Sequence, residues 1–416
     1  MTSKSSSPGK PVPARPASQT GIVVVGGGLV GLATAYALRR QNTMLKITLI
    51  EKEAELGRHQ SSHNSGVLHC GLYYKPGSSK ATLAVSGIRK MVRFCKDFGI
   101  DHEICGKIVL ATNDVDVERL RELQRRGEAN GLSGIKWLGE DEIREREPHA
   151  KGSAALLVPE EGIVDFSGVI ASLREQLLKA GVEIISSAEV RRIRKDGAKQ
   201  TVEWDGGSCS TDFVVNCAGL HSDRVARAAG LTPSCKIIPF RGEYFQLSEE
   251  GQRLVKHLIY PTPDPAFPFL GVHFSRLISG GIEAGPNAVL AMAREGYRKT
   301  DVNLKDLIET LTFGGFQRFL LRYPGSAFRE LGNSLLKSVF LSNLRQLVPE
   351  IRKEDLLSTG GAGVRAQAIG GDGKLVDDFF FEEAPGQLHV LNAPSPGATA
   401  SLAIGEHVAD RVMASL

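Results

Sequence analysis

Three glycines, Gly26, Gly28 and Gly31, stand in G-x-G-x-x-G register between an apolar run, Ile22-Val23-Val24-Val25, and an alanine- and leucine-rich stretch from Ala33 to Arg39. In that pattern the first glycine permits a tight turn, the second admits an anion to the backbone, and the third lets helix and strand pack closely. A helix opening at Leu29 and Val30 would present unpaired N–H groups and the positive end of its dipole to a pyrophosphate. A second apolar run, Ile47-Thr48-Leu49-Ile50, ends in Glu51, about 20 residues on, where a carboxylate accepts hydrogen bonds from a ribose 2′-OH. Glycine turns also occur where elements merely pack, but strand, turn, helix, strand and acid all agree here. The spacing therefore predicts a dinucleotide site without a 2′-phosphate, and leaves NAD and FAD both open.

The elements that must hold such a site are legible only coarsely. With 416 residues, 42% of them hydrophobic and 24% charged, the chain has material for two domains with their own cores. A net charge of +4, with no zinc-finger spacing or aromatic RNA-binding motif, argues against nucleic acid. No metal-ligand pattern stands out, and Gly371-Asp372-Gly373 reads as a hairpin turn rather than a calcium loop, because the other ligands are missing. The six cysteines form no C-x-x-C pair or framework, as expected of thiols in a cytosol or organelle matrix. Residues 1–20 are rich in Ser and Pro and lack an apolar core, which predicts a disordered tail rather than a secretory signal. No apolar run is long enough to span a bilayer.

Beyond Glu53, a polar, glycine-containing stretch from Gly57 to Gly77 is too long for a plain connection, and its composition argues for function. Helices are expected from near Ser79, over Asp116 to Asn130 and over Phe166 to Ala180; strands over Val182–Ile185, Val190–Ile193 and Phe213–Asn216. Lys236 to Gly285 reads as antiparallel sheet, Asp301 to Ile351 as mostly helical. Gly360–Arg365 and Leu388–Leu391 read as strands returning to the nucleotide domain, followed by the Asn392–Gly397 turn and a closing helix.

Taken together, His63-Asn64-Ser65-Gly66-Val67-Leu68-His69-Cys70-Gly71-Leu72-Tyr73-Tyr74-Lys75-Pro76-Gly77, Pro239–Tyr244, Phe267–His273, Gly285–Leu290, Gly363–Gln367 and Asn392–Pro396 carry a resemblance. From about Gly21 to the C-terminus the chain resembles the D-amino-acid-oxidase-like FAD oxidoreductases, and within them the L-2-hydroxyglutarate dehydrogenase/oxidase group. Cys70 stands where that pattern usually has a smaller residue, and Gly397 where it commonly has Ala. The resemblance implies an α/β fold: a Rossmann-like FAD-binding domain with a parallel sheet, interleaved with an α+β substrate domain on a mostly antiparallel sheet. It implies FAD-binding segments at 21–80, 150–235 and 355–416, and substrate-domain segments at 81–149 and 236–354. It also implies FAD rather than NAD, held additionally by Lys52, His63, Asn64, Ser65, Gly66, Val190, Ala218, Gly219, Pro396, Gly397, Ala398 and Thr399. Local physics agrees, since the Asn392–Gly397 turn would open a second helix whose amides could stabilise negative charge on a reduced flavin.

The implied reaction oxidises L-2-hydroxyglutarate to 2-oxoglutarate, with hydride passing to flavin N5 and the hydroxyl proton to a base. For the base, the resemblance places His69 along the cofactor, and imidazole titrates near neutrality; His273 is the rival, although after an apolar strand it also reads as a satisfied core histidine. Arg365 is the expected carboxylate clamp, because guanidinium grips carboxylate as a bidentate fork. A dicarboxylate needs a second partner, and Arg241, Tyr73, Tyr74, Tyr260 and Lys80 are unranked for that role. Glu243 and His389 are as easily explained by sheet packing.

Between Phe313 and Val348, Phe, Leu and Val alternate with Arg318, Arg322, Arg329, Lys337 and Arg345 against a single acid, Glu330. A basic amphipathic surface at 303–351 of this kind can lie on anionic lipid, although its apolar face can equally pack on the domain. With the resemblance, it predicts peripheral membrane contact and a quinone as electron acceptor. The location would be the cytoplasm or the cytoplasmic face of a bacterial inner membrane, or the matrix side of a mitochondrion. Alternatives are oxidation of an amino acid, sarcosine or glycerol 3-phosphate by the same flavin architecture, or a flavin-binding assembly factor without turnover.

Overall fold

The computed structural model describes residues 19–264, 270–323, 337–357 and 361–416. Residues 1–18 of the proposed tail and the stretch of the basic segment holding Phe328, Arg329, Glu330, Leu335 and Leu336 lie outside them.

A run of β-branched residues buried on both faces belongs in the middle of a parallel sheet. β1 (Gly21–Val25) is such a run, flanked by β2 (Lys46–Ile50) and by Phe213–Asn216, both parallel to it. The sheet has six strands in the order 380–384, 387–392, 213–216, β1, β2, 183–185, and only its 380–384 edge is antiparallel. Between β1 and β2 the chain forms α1 (Leu29–Gln41), apolar on most of its surface because sheet and the closing helix Ser401–Ser415 cover it from two sides.

A second sheet of eight strands runs 356–357, 245–247, 282–285, 273–276, 258–261, 107–111, 154–158, 136–138, antiparallel except where 258–261 meets 107–111. One apolar core runs from α1 and β2 through Leu68 and Met91 to Val109, Leu156 and Tyr260, so the two sheets share an interior.

The expected helices near 79, 116 and 166 form at Ser79–Asp97, Asp114–Ala129 and Phe166–Lys179, each opened by a side-chain cap from Ser78, Asn113 or Asp165. Two expectations about long-range placement need correction. The strand at Gly360–Arg365, observed as Ala362–Gly370, does not return to the nucleotide sheet: it pairs along its whole length with Cys235–Glu243. Ala154–Val158 lies in the eight-stranded sheet, so the chain leaves that sheet later than residue 150. Val190–Asp196 joins a small antiparallel sheet with 199–204 and 207–211. Alternation of side chains reports that a segment is a strand; its partner is decided by which apolar faces the rest of the chain leaves uncovered.

Candidate active site

The turn after β1 takes the shape its glycines allow. Gly26 has φ +106°, and a Cβ on Gly31 would stand 1.9 Å from the Gly26 carbonyl oxygen, so α1 crosses the end of β1 at backbone contact. Glu51 ends β2 nearly buried; its Oε2 accepts from the Gly27 N–H at 2.6 Å and its Oε1 from the Glu53 N–H at 2.9 Å. Each oxygen has a second lone pair for a ribose hydroxyl. The Leu29 N–H, in the first turn of α1, donates to the Ser61 hydroxyl at 2.9 Å, which ties the 51–66 loop to the cradle.

A cavity of about 1340 Å³ opens over this cradle. Lining it are Gly26, Gly28, Leu29, Val30, Glu51, Lys52, His63, Asn64, Ser65, Val190, Ala218, Gly219 and the turn Pro396–Thr399. Gly31 and Gly66 do not line it. Gly31 serves the helix crossing, and Gly66, at φ +65°, shapes the loop with its N–H on Asn64 Oδ1 at 2.9 Å. The second helix start differs from expectation: the helix opens only at Ser401, and Ser395–Ala400 is a turn closed by the Gly397 N–H on the Pro394 carbonyl at 2.7 Å. The volume exceeds what a single small molecule needs, and the cradle and turn amides suit a dinucleotide plus a small substrate.

The same cavity is lined by His69, Tyr73, Tyr74, Lys80, Tyr260, His273 and Arg365. One Arg365 N–H donates to the Asn287 carbonyl at 3.2 Å. Arg241, expected among the substrate ligands, does not line the cavity: its guanidinium is committed to Glu243 Oε1, at 3.0 and 3.1 Å, and to the Arg298 carbonyl. Glu243 and His389 are also outside the lining. His389 sits within the six-stranded sheet between Asn216 and Gln387, each at 3.0 Å, and burial lowers its pKa to about 4. Lys80 lies over the Tyr74 ring at 4.7 Å, and burial, only partly offset by Asp377 and Asp378, lowers its pKa to about 8.

His273 is buried, stacks on Tyr260 at 3.8 Å and places Nδ1 2.8 Å from the Gly271 carbonyl. Desolvation lowers its pKa to about 3, against the opposing effect of that carbonyl, with His69, Lys107 and Arg365 adding to the shift. It is therefore a neutral ring and a feeble proton acceptor. His69 differs: its Nδ1 lies 3.5 Å from Glu161 Oε2, which is paired with Lys107 at 2.6 Å. Sequence reading missed Glu161 and Lys107, which sit in ordinary strand-and-turn contexts. A lysine opening the apolar run Lys107–Ala111 was the only local signal.

Glu53, His59 and Glu295 converge closely enough to resemble a metal-binding group. The Lys52 ammonium already occupies the space between the two carboxylates, bonded to Glu53 and 2.6 Å from Glu295, which also takes His221 Nε2 at 2.8 Å. No other such group occurs among the described residues. Nor is any helix among them long and apolar enough to cross a membrane.

Residues 21–411 match the family model "FAD dependent oxidoreductase". The L-2-hydroxyglutarate dehydrogenase of Indibacter alkaliphilus is 46% identical over 94% of this chain and 98% of its own. The mitochondrial L-2-hydroxyglutarate dehydrogenase of Homo sapiens is 40% identical over 94% and 88%. In fold, the chain is similar to the FAD-bound L-alpha-glycerophosphate oxidase of Mycoplasma pneumoniae, with a TM-score of 0.77, 23% identity and 94% of each chain covered.

Proposed function

This chain belongs to the FAD dependent oxidoreductase family, and from that premise we propose that it oxidises L-2-hydroxyglutarate to 2-oxoglutarate. The observation that carries the reading is the single cavity in which a dinucleotide cradle, a histidine backed by a carboxylate, and Arg365 converge. FAD, held by the Gly26–Val30 turn, Glu51, the 63–65 segment and the 396–399 turn, supplies the acceptor for the hydride leaving C2 of the substrate.

The remaining work falls to side chains. Arg365 grips the C1 carboxylate and fixes C2. His69 takes the C2 hydroxyl proton, since a base as weak as His273 provides little driving force near neutrality. For the distal carboxylate, Lys80 and the Tyr73, Tyr74 and Tyr260 hydroxyls are the expected partners that line the cavity, now that Arg241 is otherwise engaged. Tyr73 and Tyr260 also wall the cavity with aromatic surface that excludes water.

Anaerobic addition of L-2-hydroxyglutarate to the FAD-loaded protein should bleach the flavin band, while D-2-hydroxyglutarate, lactate, malate, sarcosine and glycerol 3-phosphate should not. Bleaching by another member of that panel would transfer the reading to that substrate, and bleaching by none would favour an assembly factor.

We also propose a membrane quinone as electron acceptor. Phe316, Phe319, Phe340 and Leu341 of the basic segment are buried in the domain. Support comes instead from a neighbouring apolar patch: Leu304 is 70% exposed, Ile308 59% and Leu321 82%, beside Arg318 and Arg322. Binding to anionic vesicles together with quinone reduction is the expected result; a protein that stays in solution and reduces only oxygen would exclude it.

A further inference from the structure

Behind the cavity lining, beneath His69, lie two ionised groups to which the reaction as described gives no role. Lys107 and Glu161 are both fully buried and 2.6 Å apart. Removing two charges from water costs several kcal/mol per ion, and such a pair seldom repays that in stability alone. Its surroundings indicate another purpose. Glu161 Oε1 accepts from the Cys70 N–H and the Cys70 thiol, both at 3.2 Å, while Oε2 faces Lys107 Nζ and, at 3.5 Å, His69 Nδ1. The carboxylate thus anchors the Cys70 backbone by a hydrogen bond through Oε1 and sets its other oxygen beside the His69 ring, near enough to bond once the ring closes on it. The backbone N–H of His69 donates to the Thr399 hydroxyl at 3.2 Å, which donates to the Val67 carbonyl at 3.2 Å, so the main chain that carries the ring is fixed as well.

We infer that Glu161, kept as a carboxylate by Lys107, is a positioning residue that holds the His69 imidazole with Nδ1–H toward itself and leaves Nε2 to receive the substrate's hydroxyl proton. The inference rests on the proposed oxidation of a 2-hydroxy acid in this cavity. Fixing the tautomer matters because a neutral imidazole accepts at one nitrogen only. When the O–H bond of the C2 hydroxyl breaks and its proton moves to Nε2, the ring becomes a cation, and the facing carboxylate stabilises it in a site of low dielectric. Lys107 has its own confinement: its ammonium lies over the Tyr73 ring at 4.5 Å and the Tyr260 ring at 4.8 Å. Desolvation would raise the Glu161 pKa, but Lys107 and His69 overcome it and hold the carboxyl far below its usual range. The titratable groups facing His69 are Glu161, backed by Lys107, and Tyr260 and His273 from the eight-stranded sheet; Cys70 and Tyr73 of its own segment face Glu161.

The test compares wild type with Glu161→Gln and with Glu161→Gln/Lys107→Met, which removes both buried charges together and so avoids an orphaned ammonium. Flavin reduction by L-2-hydroxyglutarate is followed anaerobically by stopped flow, per bound FAD, at saturating and limiting substrate across pH 5–9. In both variants the limiting reduction rate should fall about a hundredfold, with the substrate concentration for half-maximal rate changed less than about threefold. The acidic limb of the profile should move to lower pH, most in Glu161→Gln, and Glu161→Asp should restore part of both effects. A double variant that reduces its bound FAD at the wild-type rate with an unmoved limb would overturn the inference, even if its melting temperature falls. If wild-type flavin is not reduced at all, the proposed substrate fails first, and the role given to Glu161 goes with it.

Discussion

The nucleotide cradle and the floor beneath His69 face one cavity and are built by opposite means. At the cradle, a span of 31 residues from Gly21 to Glu51 supplies strand, turn, helix and acid, and the contacts offered to a ligand are largely backbone amides. At the floor, His69, Lys107, Glu161, Tyr260 and His273 come from five separate stretches of chain, and the contacts that join them to one another are between side chains in a buried, charged setting. Backbone recognition tolerates side-chain variety but no added bulk. Side-chain recognition tolerates modest repacking but no loss of a partner. The two regions should therefore fail differently: the first by losing cofactor, the second by losing turnover with cofactor in place.

The harshest way to break that contrast is at Gly31. Gly31→Val drives a side chain into the Gly26 carbonyl, because even a Cβ would lie 1.9 Å from it. FAD should be absent from the purified variant, and thermal unfolding should come at a clearly lower temperature, a loss of about 3 kcal/mol or more. A Gly31→Val protein with full flavin absorbance would remove the distinction. At the other region, Arg365→Met should retain FAD yet lose about 3–4 kcal/mol of transition-state stabilisation, a hundred- to thousandfold in kcat/KM. Steady-state kinetics on flavin-replete protein measure it, and loss of FAD instead would assign Arg365 to the cradle.

Acid sensitivity sharpens the comparison, because each region holds a histidine in its neutral form. His389 in the nucleotide sheet has its pKa lowered to about 4, and His273 at the floor to about 3, both by burial. Below about pH 6.5 the unfolded chain binds protons that these folded rings refuse, so stability falls as pH drops from 6.5 toward those values. Replacing His389 by Gln should flatten that decline by up to ~1.4 kcal/mol per pH unit, read from urea unfolding at pH 7 and pH 5. Flavin reduction should be nearly unchanged, since His389 does not line the cavity. An unaltered slope would mean that His389 titrates as it does in the unfolded chain. The smallest effect is expected at Lys80, whose pKa burial lowers to about 8. Lys80→Met should raise KM for a dicarboxylate about three- to tenfold below pH 8, where the ammonium is charged, and progressively less above it. A KM effect independent of pH would indicate packing rather than charge.

What could be read in the linear chain follows the same division. The turn at Gly26–Gly31, the acid Glu51 at the end of the second strand and the helices opened by Ser78, Asn113 and Asp165 all follow from residue types within one short stretch of chain. Arg365 is the expected clamp and Arg241 only one of several partners open for the second carboxylate; with Glu243 two residues on, what nothing local reveals is that the Arg298 carbonyl completes the occupation of the Arg241 guanidinium. His69 is the expected base and His273 its rival, and burial and one carboxylate set them apart in the same sense. Glu161 carries no motif at all: its neighbour Glu160 reaches Arg89 and the Ser133 N–H near the surface, while Glu161 turns into the core.

The sequence alone determined that a dinucleotide cofactor would be bound and that a strand–turn–helix–strand unit ending in an acid would form, because the need for φ > 0, for backbone contact and for an acid after a strand is written in residue types at fixed short spacing. Only the tertiary structure decided which polar groups meet at the reacting end. Their pairing there depends on strand register and burial across separations as long as the 91 residues between Cys70 and Glu161. A charge's partner and its exposure to water, rather than its identity, set what it can do.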